Sequence, residues 1–307
     1  MDLLADVLNT TRLSNSVLGT AELAPPWGLQ VDAMAESSVH IMLRGCGYMH
    51  LVNQTHPLFL ADGDVALIAS NIAHSFCDHP DTPVRPYQEV LAELQTNPPA
   101  PEKITCNILC AKYLFDHAGP HPLTRVLPPI IHLCARDMER NPELATLLQL
   151  LKMEALRPGD GHALVVPRLV DTLLVFVVRA WLAQVPLGAG GWYGALRDPL
   201  VAKALALIHQ HPNRHWTVEN LGREVGQSRA TFARRFAALV GEAPAAYLSR
   251  WRMCLAAKAL RESNLNLEQI AEGVGYETAA ALSKAFRRQF TIAPGAYRAE
   301  QQAMQIG

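Results

Sequence analysis

Basic side chains cluster in two short segments near the C-terminal end of this 307-residue sequence. They are Arg229, Arg234 and Arg235 in the first segment and Lys284, Arg287 and Arg288 in the second. A guanidinium group can donate two hydrogen bonds to O6 and N7 of guanine, and any of these cations can bind a phosphate group. The chemistry that these residue types offer is therefore the binding of nucleic acid.

The two segments belong to an internal repeat. Three positions recur at a spacing of 49 residues and four at a spacing of 50, because the turn of the second copy is one residue longer. The pairs are Leu221 and Ile270, Val225 and Val274, Gly226 and Gly275, Phe232 and Leu282, Phe236 and Phe286, Pro244 and Pro294, and Tyr247 and Tyr297. Each copy has a short helical pattern, a turn with glycine and a longer helical pattern, which is typical of a helix-turn-helix motif.

The ends of the helices in the first copy carry capping residues. Thr217 is predicted to cap a helix that ends at Gly226, and Ser228 to cap the second helix. In both copies the second helix carries apolar residues at helical spacing, which are expected to face inward. They are Phe232, Phe236 and Leu239 in the first copy and Leu282, Phe286 and Phe290 in the second.

The opposite face of the second helix in the first copy is the predicted DNA-reading surface. Its candidate contact residues are Ser228, Arg229, Ala230, Thr231, Ala233, Arg234 and Arg235. A recognition helix enters the major groove with its N-terminal residues first. We therefore expect Arg234 to read a base, and Arg229 and Arg235 to bind phosphate.

The same face of the second copy is poorer in groups that can read bases. Its candidate contact residues are Ala280, Ala281, Ser283, Lys284, Arg287 and Arg288. Alanine can touch a thymine methyl group but cannot form a hydrogen bond, so the second unit is expected to bind mainly phosphate. Between the copies, residues 245–262 predict a helix of about 27 Å, which can hold two recognition helices about one DNA turn apart. A solvated amphipathic face is the alternative interpretation of one such helix, but two copies favour DNA binding.

Residues 191–298 resemble the DNA-binding domain of AraC/XylS-type transcription regulators. The resemblance rests on five segments, Trp216–Leu221, Ser228–Phe236, Tyr247–Met253, Ile270–Tyr276 and Ala293–Arg298. It implies two helix-turn-helix units and sequence-specific binding to double-stranded DNA. Two positions depart from the family pattern. Leu282 stands where phenylalanine is usual, and Thr291 stands where a glycine is usual, at a position that favours positive φ.

The N-terminal part of the sequence has the pattern of a β-domain. The apolar runs Val39–Leu43, Tyr48–Val52 and Val65–Ile68 are separated by turn formers and predict short strands. Several such strands without helical patterns between them indicate an antiparallel sandwich or barrel. The segments Trp27–Leu29 and Gly63–His74, with the first two strands, resemble the cupin-type sensor domain that often accompanies AraC-type units. This resemblance implies a β-barrel that binds a small effector.

Helical spacing replaces the strand pattern over residues 141–185. One apolar stripe contains Leu144, Leu147, Leu148, Leu151 and Ala155, and a second helix is expected over residues 168–183. The glycine-rich residues 186–191 predict a linker. The expected fold is α+β and multidomain. It comprises a cupin-like sensor domain with an antiparallel β-barrel (1–140), a helical dimerisation and linker segment (141–190), and an all-α AraC-type DNA-binding domain (191–307).

Candidate effector or redox residues lie in the predicted sensor domain. They are His74, Cys46, Cys106 and Cys110. A metal site needs at least three converging ligands. Of the cupin ligands only the later histidine, His74, is in place, since His40 and His50 are ten residues apart and no glutamate accompanies them. We therefore expect no metal and no cofactor, with His74 hydrogen-bonded at the barrel mouth and the cysteines either redox-active or inert thiols.

Composition narrows the class of protein. The apolar run Leu169–Trp181 contains two charged residues and is shorter than the 20 or so residues of a membrane span. Residues 1–8 lack the basic start of a secretory signal. The six cysteines show no paired spacing, which favours reduced thiols in the cytoplasm. From Asp198 onwards there are 14 basic and 9 acidic residues, against 13 and 19 before it, so the basic part coincides with the repeat.

The sequence therefore predicts a DNA-binding transcription regulator that is controlled by a small molecule or by a redox change at the N-terminal domain. No catalytic residues are assigned, because the chain lacks the usual nucleophile and metalloenzyme motifs. The expected partners are double-stranded DNA, an unknown small effector and a second copy of the chain, with RNA polymerase as a candidate and no membrane. Two alternatives remain at this point: a cupin-type metalloenzyme with a helical accessory domain, and a non-sensing architectural DNA-binding protein.

Overall fold

The computed structural model describes residues 2–52, 54–115, 128–185 and 192–306. The chain forms two compact units. We name them the helical unit, which contains Met1–Arg12 and Val185–Gly307, and the sheet unit, which contains Leu13–Phe115 and Leu127–Gln184. The N-terminal residues thus belong with the C-terminal helices, although the sheet follows them directly in the sequence.

The sheet unit contains two five-stranded sheets. The strands are β1 (Arg12–Leu23), β2 (Gly28–Val31), β3 (Ser37–Arg44), β4 (Cys46–Leu51), β5 (Leu58–Ala61), β6 (Val65–Ile68), β7 (His74–Cys77), β8 (Arg85–Pro86), β9 (Cys106–Phe115) and β10 (Ile130–Leu133). Their orders are β1-β9-β3-β6-β10 and β5-β4-β7-β2-β8. The expected β-barrel is therefore wrong in one respect: the described strands form an open cupin-like sandwich, in which β2 and β8 pair in parallel.

The two sheets are held together by apolar side chains from both. Met42 and Ile108 of the first sheet and Met49 and Phe76 of the second belong to one buried cluster. In strand β4, buried residues alternate with exposed or partly exposed ones, because every second side chain faces the space between the sheets. The three predicted strands are confirmed as β3, β4 and β6.

Among the described residues, four α-helices accompany the sheets. They are α2 (Tyr87–Thr96), α3 (Ala135–Met138), α4 (Pro142–Leu156) and α5 (His162–Gln184), and a 3₁₀ turn covers Pro101–Lys103. The predicted leucine stripe of α4 is buried from Leu144 to Leu151, whereas Ala155 is only partly buried. Helix α5 begins six residues before its predicted start, at His162. Among the described helices, none combines the length and the apolar character that crossing a bilayer would require.

The helical unit contains nine described helices. They are α1 (Leu3–Thr11), α6 (Trp192–Arg197), α7 (Pro199–Gln210), α8 (Val218–Glu224), α9 (Arg229–Val240), α10 (Pro244–Glu262), α11 (Leu267–Val274), α12 (Ala279–Phe290) and α13 (Pro294–Ile306). Helices α8 and α9 form the first helix-turn-helix unit, and α11 and α12 form the second. Thr217 and Ser228 cap α8 and α9 as predicted, by accepting hydrogen bonds from the amides of Asn220 and Thr231.

Helix α1 is an integral part of the helical unit. Leu4, Val7 and Leu8 are buried, and α1 contacts α7 and α10. Near its C-terminal end, the carbonyl oxygen of Thr10 accepts a hydrogen bond of 3.0 Å from the buried guanidinium of Arg261. A cation at a helix C-terminus also interacts favourably with the helix dipole. The start of the chain is thereby tied to the helix that joins the two helix-turn-helix units.

The residues that follow α9 and α12 differ in kind but not in conformation. Gly241 follows α9 with φ 84°, and Thr291 follows α12 with φ 63°. Both lie in the left-handed region, where a side chain with a Cβ is disfavoured by about 1–2 kcal/mol. The expectation that Thr291 occupies a position of positive φ is confirmed.

Replacing Thr291 by glycine is expected to increase the free energy of unfolding of the full chain by about 1 kcal/mol, because the left-handed strain is removed. Gly241→Thr is the matched control and is expected to lower it by a similar amount. Denaturant unfolding of the three proteins measures both effects. A loss of stability in Thr291→Gly would show that the contacts of this threonine outweigh its strain.

Candidate nucleic-acid interface and sensor cavity

The buried face of α9 fixes which residues face outward. Phe232 and Phe236 are fully buried and pack edge to face, with ring centroids 5.6 Å apart. Val240 completes this buried row, whereas Leu239, which we expected to face inward, is only partly buried. The buried positions of α9 recur at every fourth residue, so the third buried position is 240 and not 239.

The predicted contact residues of α9 fall on its accessible side. Exposed are Ser228, Arg229, Ala230, Arg234 and Arg235, and partly exposed are Thr231 and Ala233. The hydroxyl of Ser228 donates to the hydroxyl of Thr231 at 3.0 Å and also accepts from its amide. Both hydroxyls therefore already serve the helix cap, which limits the hydrogen bonds that they can offer to DNA.

The three arginines of α9 differ in their partners. Nε of Arg235 donates to the carboxylate of Asp198 at 2.8 Å, and that carboxylate also caps α7. Burial alone would raise the pKa of Asp198, but the hydrogen bonds from Arg235 and from two amides lower it below its usual value. Within the described part of the chain, Arg229 and Arg234 have no acidic partner. Their charge is fully available, whereas that of Arg235 is partly neutralised.

Helix α12 has the same arrangement with different chemistry. Leu282, Phe286 and Phe290 are buried, so leucine fills the core position where the family usually has phenylalanine. Exposed on the other side are Ala280, Ala281, Lys284, Arg287 and Arg288, and Ser283 is partly buried. None of the three cations is paired with a carboxylate among the residues that are described. This face offers positive charge but little that can read a base.

In the sheet unit, the structure connects His74 and Cys110 through His40. The Nε2 atoms of His40 and His74 lie 2.9 Å apart, and Nδ1 of His40 lies 3.2 Å from Sγ of Cys110. Nδ1 of His74 donates to the carbonyl oxygen of Ile72 at 3.1 Å. Because a carbonyl can only accept, Nε2 of His74 must accept from His40, and Nδ1 of His40 then accepts from the thiol. The result is a chain of three hydrogen bonds in which every group is neutral.

Burial keeps this chain uncharged. Burial lowers the pKa of His40 well below its usual value, and the neighbouring His74 lowers it further. Burial also lowers the pKa of His74 and raises that of the Cys110 thiol to about 12. Since the two ring nitrogens of His40 face different partners, Cys110 and His74 do not converge on one point. Across the described residues, no three histidine, cysteine or acidic side chains are grouped so as to hold a metal ion.

Two members of this hydrogen-bonded chain, His40 and Cys110, line a small cavity between the two sheets. Its polar lining residues are Ser38, His40, Cys110 and Lys112, and apolar residues such as Leu29 and Phe76 form the rest. The space of about 30 Å³ holds one or two water molecules. Nζ of Lys112 lies 3.1 Å from the Met34 sulfur and 3.4 Å from the Tyr87 hydroxyl, and no carboxylate of the described residues accompanies it.

The other two candidate cysteines are separate from this chain. Cys46 is exposed, and Cys106 is buried, which raises the pKa of its thiol to about 12. Sequence reasoning also missed three of the residues that define the cavity. One is His40, which is hydrogen-bonded to Cys110, and the other two are Lys112 and Tyr87 at the edge of the cavity. Alternation along β3 does not indicate that His40 lines the cavity, because β3 is buried on both faces and the apolar Val39 and Ile41 lie on the other one. The pairing of His40 with Cys110, 70 residues away, depends on the β3–β9 register, which no local pattern indicates.

Comparison with known proteins identifies both parts of the chain. A cupin family model matches residues 2–183, and a helix-turn-helix domain model matches residues 221–300. An AraC-like transcription regulator of Streptomyces lividans is 32% identical over 299 residues, which cover 97% of this chain and 98% of the relative. This chain belongs to the AraC family of transcription regulators. It is a DNA-binding protein of that family with an N-terminal cupin domain.

The chain is also similar to two further proteins. The transcriptional regulator AlkR of Acinetobacter baylyi is 31% identical over 309 residues, which cover 97% of this chain and 99% of AlkR. The DNA-binding domain of AdpA, solved in complex with a target DNA, is 36% identical; the match covers 35% of this AraC-family chain and 96% of that domain, with a TM-score of 0.34. The predictions of the family, the DNA-binding function and the α+β class are confirmed.

The raised thiol pKa of Cys106 and Cys110 leads to a testable difference in reactivity from the exposed Cys46. Iodoacetamide at pH 8 is expected to modify the exposed Cys46 first, because alkylation needs an accessible thiolate. A thiol whose pKa is about 12 stays protonated at that pH and becomes reactive only in strongly alkaline or denaturing solution. Mass spectrometry of peptides from the native chain measures the order, with denatured chain as the control. Equal rates at Cys46 and Cys106 would contradict the burial of Cys106.

Proposed function

We propose that this regulator binds a DNA site of two unequal subsites, with α9 reading bases and α12 holding mainly phosphate. The observation that supports it is the unpaired, exposed state of Arg229 and Arg234 opposite the buried face of α9. Arg234 is the sixth of the twelve residues of α9 and lies in its N-terminal half, the part of a recognition helix that contacts base edges. We assign Arg229 to phosphate, and Arg235 to a weaker phosphate contact because Asp198 holds it.

The second unit carries the opposite balance of groups. Ala280 and Ala281 are exposed near the start of α12, where base contacts would be made, and neither can form a side-chain hydrogen bond. Lys284, Arg287 and Arg288 supply charge that is independent of sequence. We therefore assign most of the specificity to the first unit, and general affinity to the second.

We further propose that a small ligand in the sheet-unit cavity controls DNA binding. Lys112 supports a ligand with an anionic or hydrogen-bond-accepting end, and the surrounding side chains support an apolar body. Such a ligand would displace lining side chains such as Tyr87, because the present space holds only water-sized molecules. Short-chain carboxylic acids and the matching alcohols, compared by thermal stabilisation of the parent chain and Lys112→Met, test this. Equal stabilisation of both proteins would remove Lys112 from the role.

A redox signal at Cys110 is the second candidate, and its hydrogen bond to His40 supports it. Hydrogen peroxide would convert the thiol to a sulfenic acid and water, with His40 able to accept the thiol proton during attack. The raised pKa opposes this reaction, so we place the ligand first. Cys46, Cys106 and His74 keep a role only as secondary candidates. Unchanged DNA binding after peroxide treatment would count against the redox signal.

A second copy of the chain is the proposed protein partner. Leu150 and Met153 on α4 and Leu164 and Val165 on α5 are large apolar side chains that are exposed. We propose that these two helices form the dimer contact, as we expected for residues 141–190. Sedimentation of the parent chain and of Met153→Glu tests the contact. RNA polymerase is retained as a candidate partner on the family resemblance alone.

The two alternative functions are not favoured. A cupin-type metalloenzyme needs converging ligands, and both full-length relatives compared above are named transcription regulators. We therefore propose a role without catalysis. An architectural protein would bind all duplexes alike, whereas exposed Arg234 offers a group that distinguishes guanine from other bases.

Arg234→Ala is expected to weaken binding to the specific site by about 1–3 kcal/mol and to leave binding to random duplexes almost unchanged. The matched variant Arg288→Ala is expected to weaken both equally and to reduce the slope of log affinity against log salt by about one. Fluorescence anisotropy at several salt concentrations measures both. Equal losses for Arg234→Ala on specific and random DNA would assign that arginine to phosphate.

Selection of bound sequences from random duplexes by the full chain tests the proposed function as a whole. We expect one enriched motif with two subsites about 10 base pairs apart, of which the first is the stronger. An absence of any enriched motif, with and without candidate ligands, would favour the architectural alternative.

A further inference from the structure

The two turn glycines of the repeat have different surroundings. Gly226 and Gly275 both have positive φ, 70° and 82°. A Cβ on Gly226 would have no atom within 4 Å, whereas a Cβ on Gly275 would lie 2.7 Å from a guanidinium nitrogen of Arg252 and 2.7 Å from Cα of Asn213. The turn of the second unit is thus packed tightly against a side chain and a loop that have no counterpart at the first turn.

Arg252 connects that loop to the second turn. It lies on α10, and its Nε donates to the carbonyl oxygen of Pro212 at 2.7 Å. A second guanidinium nitrogen donates to the carbonyl oxygen of Arg214 at 3.0 Å. Its charged carbon lies 5.9 Å from the ring centroid of Tyr276, which directly follows Gly275. One side chain therefore contacts the loop before α8 and the turn after α11.

The loop itself is fastened to the first unit. Nε1 of Trp216 donates to the carbonyl oxygen of His211 at 2.9 Å, and the guanidinium of Arg214 stacks on the Trp216 ring at 4.1 Å. Arg214 also pairs with Glu224, at the end of α8, at 3.1 Å. Because of these contacts, the loop moves together with the first helix-turn-helix unit.

The two units are consequently joined at a second place besides α10. A helix of 19 residues spans about 28 Å, and because long helices curve, a single connection of that length leaves its two ends some freedom to bend relative to each other. A second point of attachment removes that freedom. Fixing the separation of α9 and α12 before binding lowers the ordering cost of contacting both subsites at once.

We propose that Arg252, seated against Gly275, locks the two helix-turn-helix units at one separation and thereby sets the spacing between the two DNA subsites. Arg252 is a positioning residue, because it is engaged by the loop and the turn and acts on DNA through them. The inference rests on the proposed binding to two DNA subsites, and it adds which contact determines the spacing between those subsites.

Binding to sites of altered spacing tests the lock. The selected site and derivatives with one, two or five base pairs inserted between the subsites are measured with parent chain and Arg252→Ala. Two inserted base pairs turn the second subsite by about 70° around the duplex, so the parent chain is expected to lose about tenfold in affinity. Arg252→Ala is expected to lose less than threefold, with the affinity for each single subsite unchanged. A spacing preference equal to that of the parent chain would overturn the proposal.

Two further variants separate the contact from general damage. Gly275→Ala places a Cβ against Arg252 and Asn213 and is expected to relax the spacing preference. Gly226→Ala imposes the same left-handed strain in open space and is expected to keep it. Arg252→Lys, which can reach one carbonyl, is expected to be intermediate. Identical behaviour of the two glycine variants would show that strain, and not the contact, is responsible.

A distance measurement in the absence of DNA tests the Arg252 contact separately from the proposed binding to two DNA subsites. Spin labels at Ala230→Cys and Ala280→Cys, in full chain with Cys46→Ser, report the separation of α9 and α12. The distribution is expected to be narrow with Arg252 present and broader in Arg252→Ala, at unchanged helix content. Equal widths would overturn the lock, whatever the DNA experiments show.

Discussion

The burial of one aromatic row in each of α9 and α12 is the constraint on which the proposed DNA-binding surface depends. A buried phenylalanine contributes roughly 1.5–3 kcal/mol, so Phe232 and Phe236 cannot turn outward without a large loss. Each row packs against a buried tyrosine, Tyr247 in the first unit and Tyr297 in the second. Since a helix with one face fixed has no rotational freedom left, the residues on the other face are fixed as well.

The two buried tyrosines also need partners for their hydroxyl groups, and the repeat supplies them differently. The hydroxyl of Tyr247 is hydrogen-bonded to Nε2 of His209 at 2.7 Å, and burial lowers the pKa of that histidine to about 3, which keeps the ring neutral. The hydroxyl of Tyr297 accepts from Arg261 at 2.8 Å, and Arg261 also holds the end of α1. The same core position is thus satisfied by a neutral ring in one unit and by a cation in the other.

The buried group around His40 in the sheet unit follows the same rule of satisfied burial. An unpaired polar group in an apolar interior costs several kcal/mol by most measures. The thiol, the two imidazoles and the carbonyl of Ile72 avoid that cost by forming one directional chain. Removal of any member would leave its neighbour unpaired, so a ligand or a chemical change near His40 would alter the hydrogen bonds of all four groups. This arrangement places a chain of coupled polar groups beside the apolar core of the sandwich.

Local patterns in the sequence determined the repeat, the helix caps at Thr217 and Ser228, the outward face of each recognition helix and the family. These features depend on residues within a few turns of one another, where spacing and side-chain type suffice. Tertiary structure decided the rest. Four features join residues that are distant in the chain. They are the arrangement of the strands in two separate sheets, the His40–Cys110 contact, the pairing of Arg235 with Asp198, and the packing of Arg252 against Gly275. Their positions follow from strand register and helix packing, which the sequence specifies only through the whole fold.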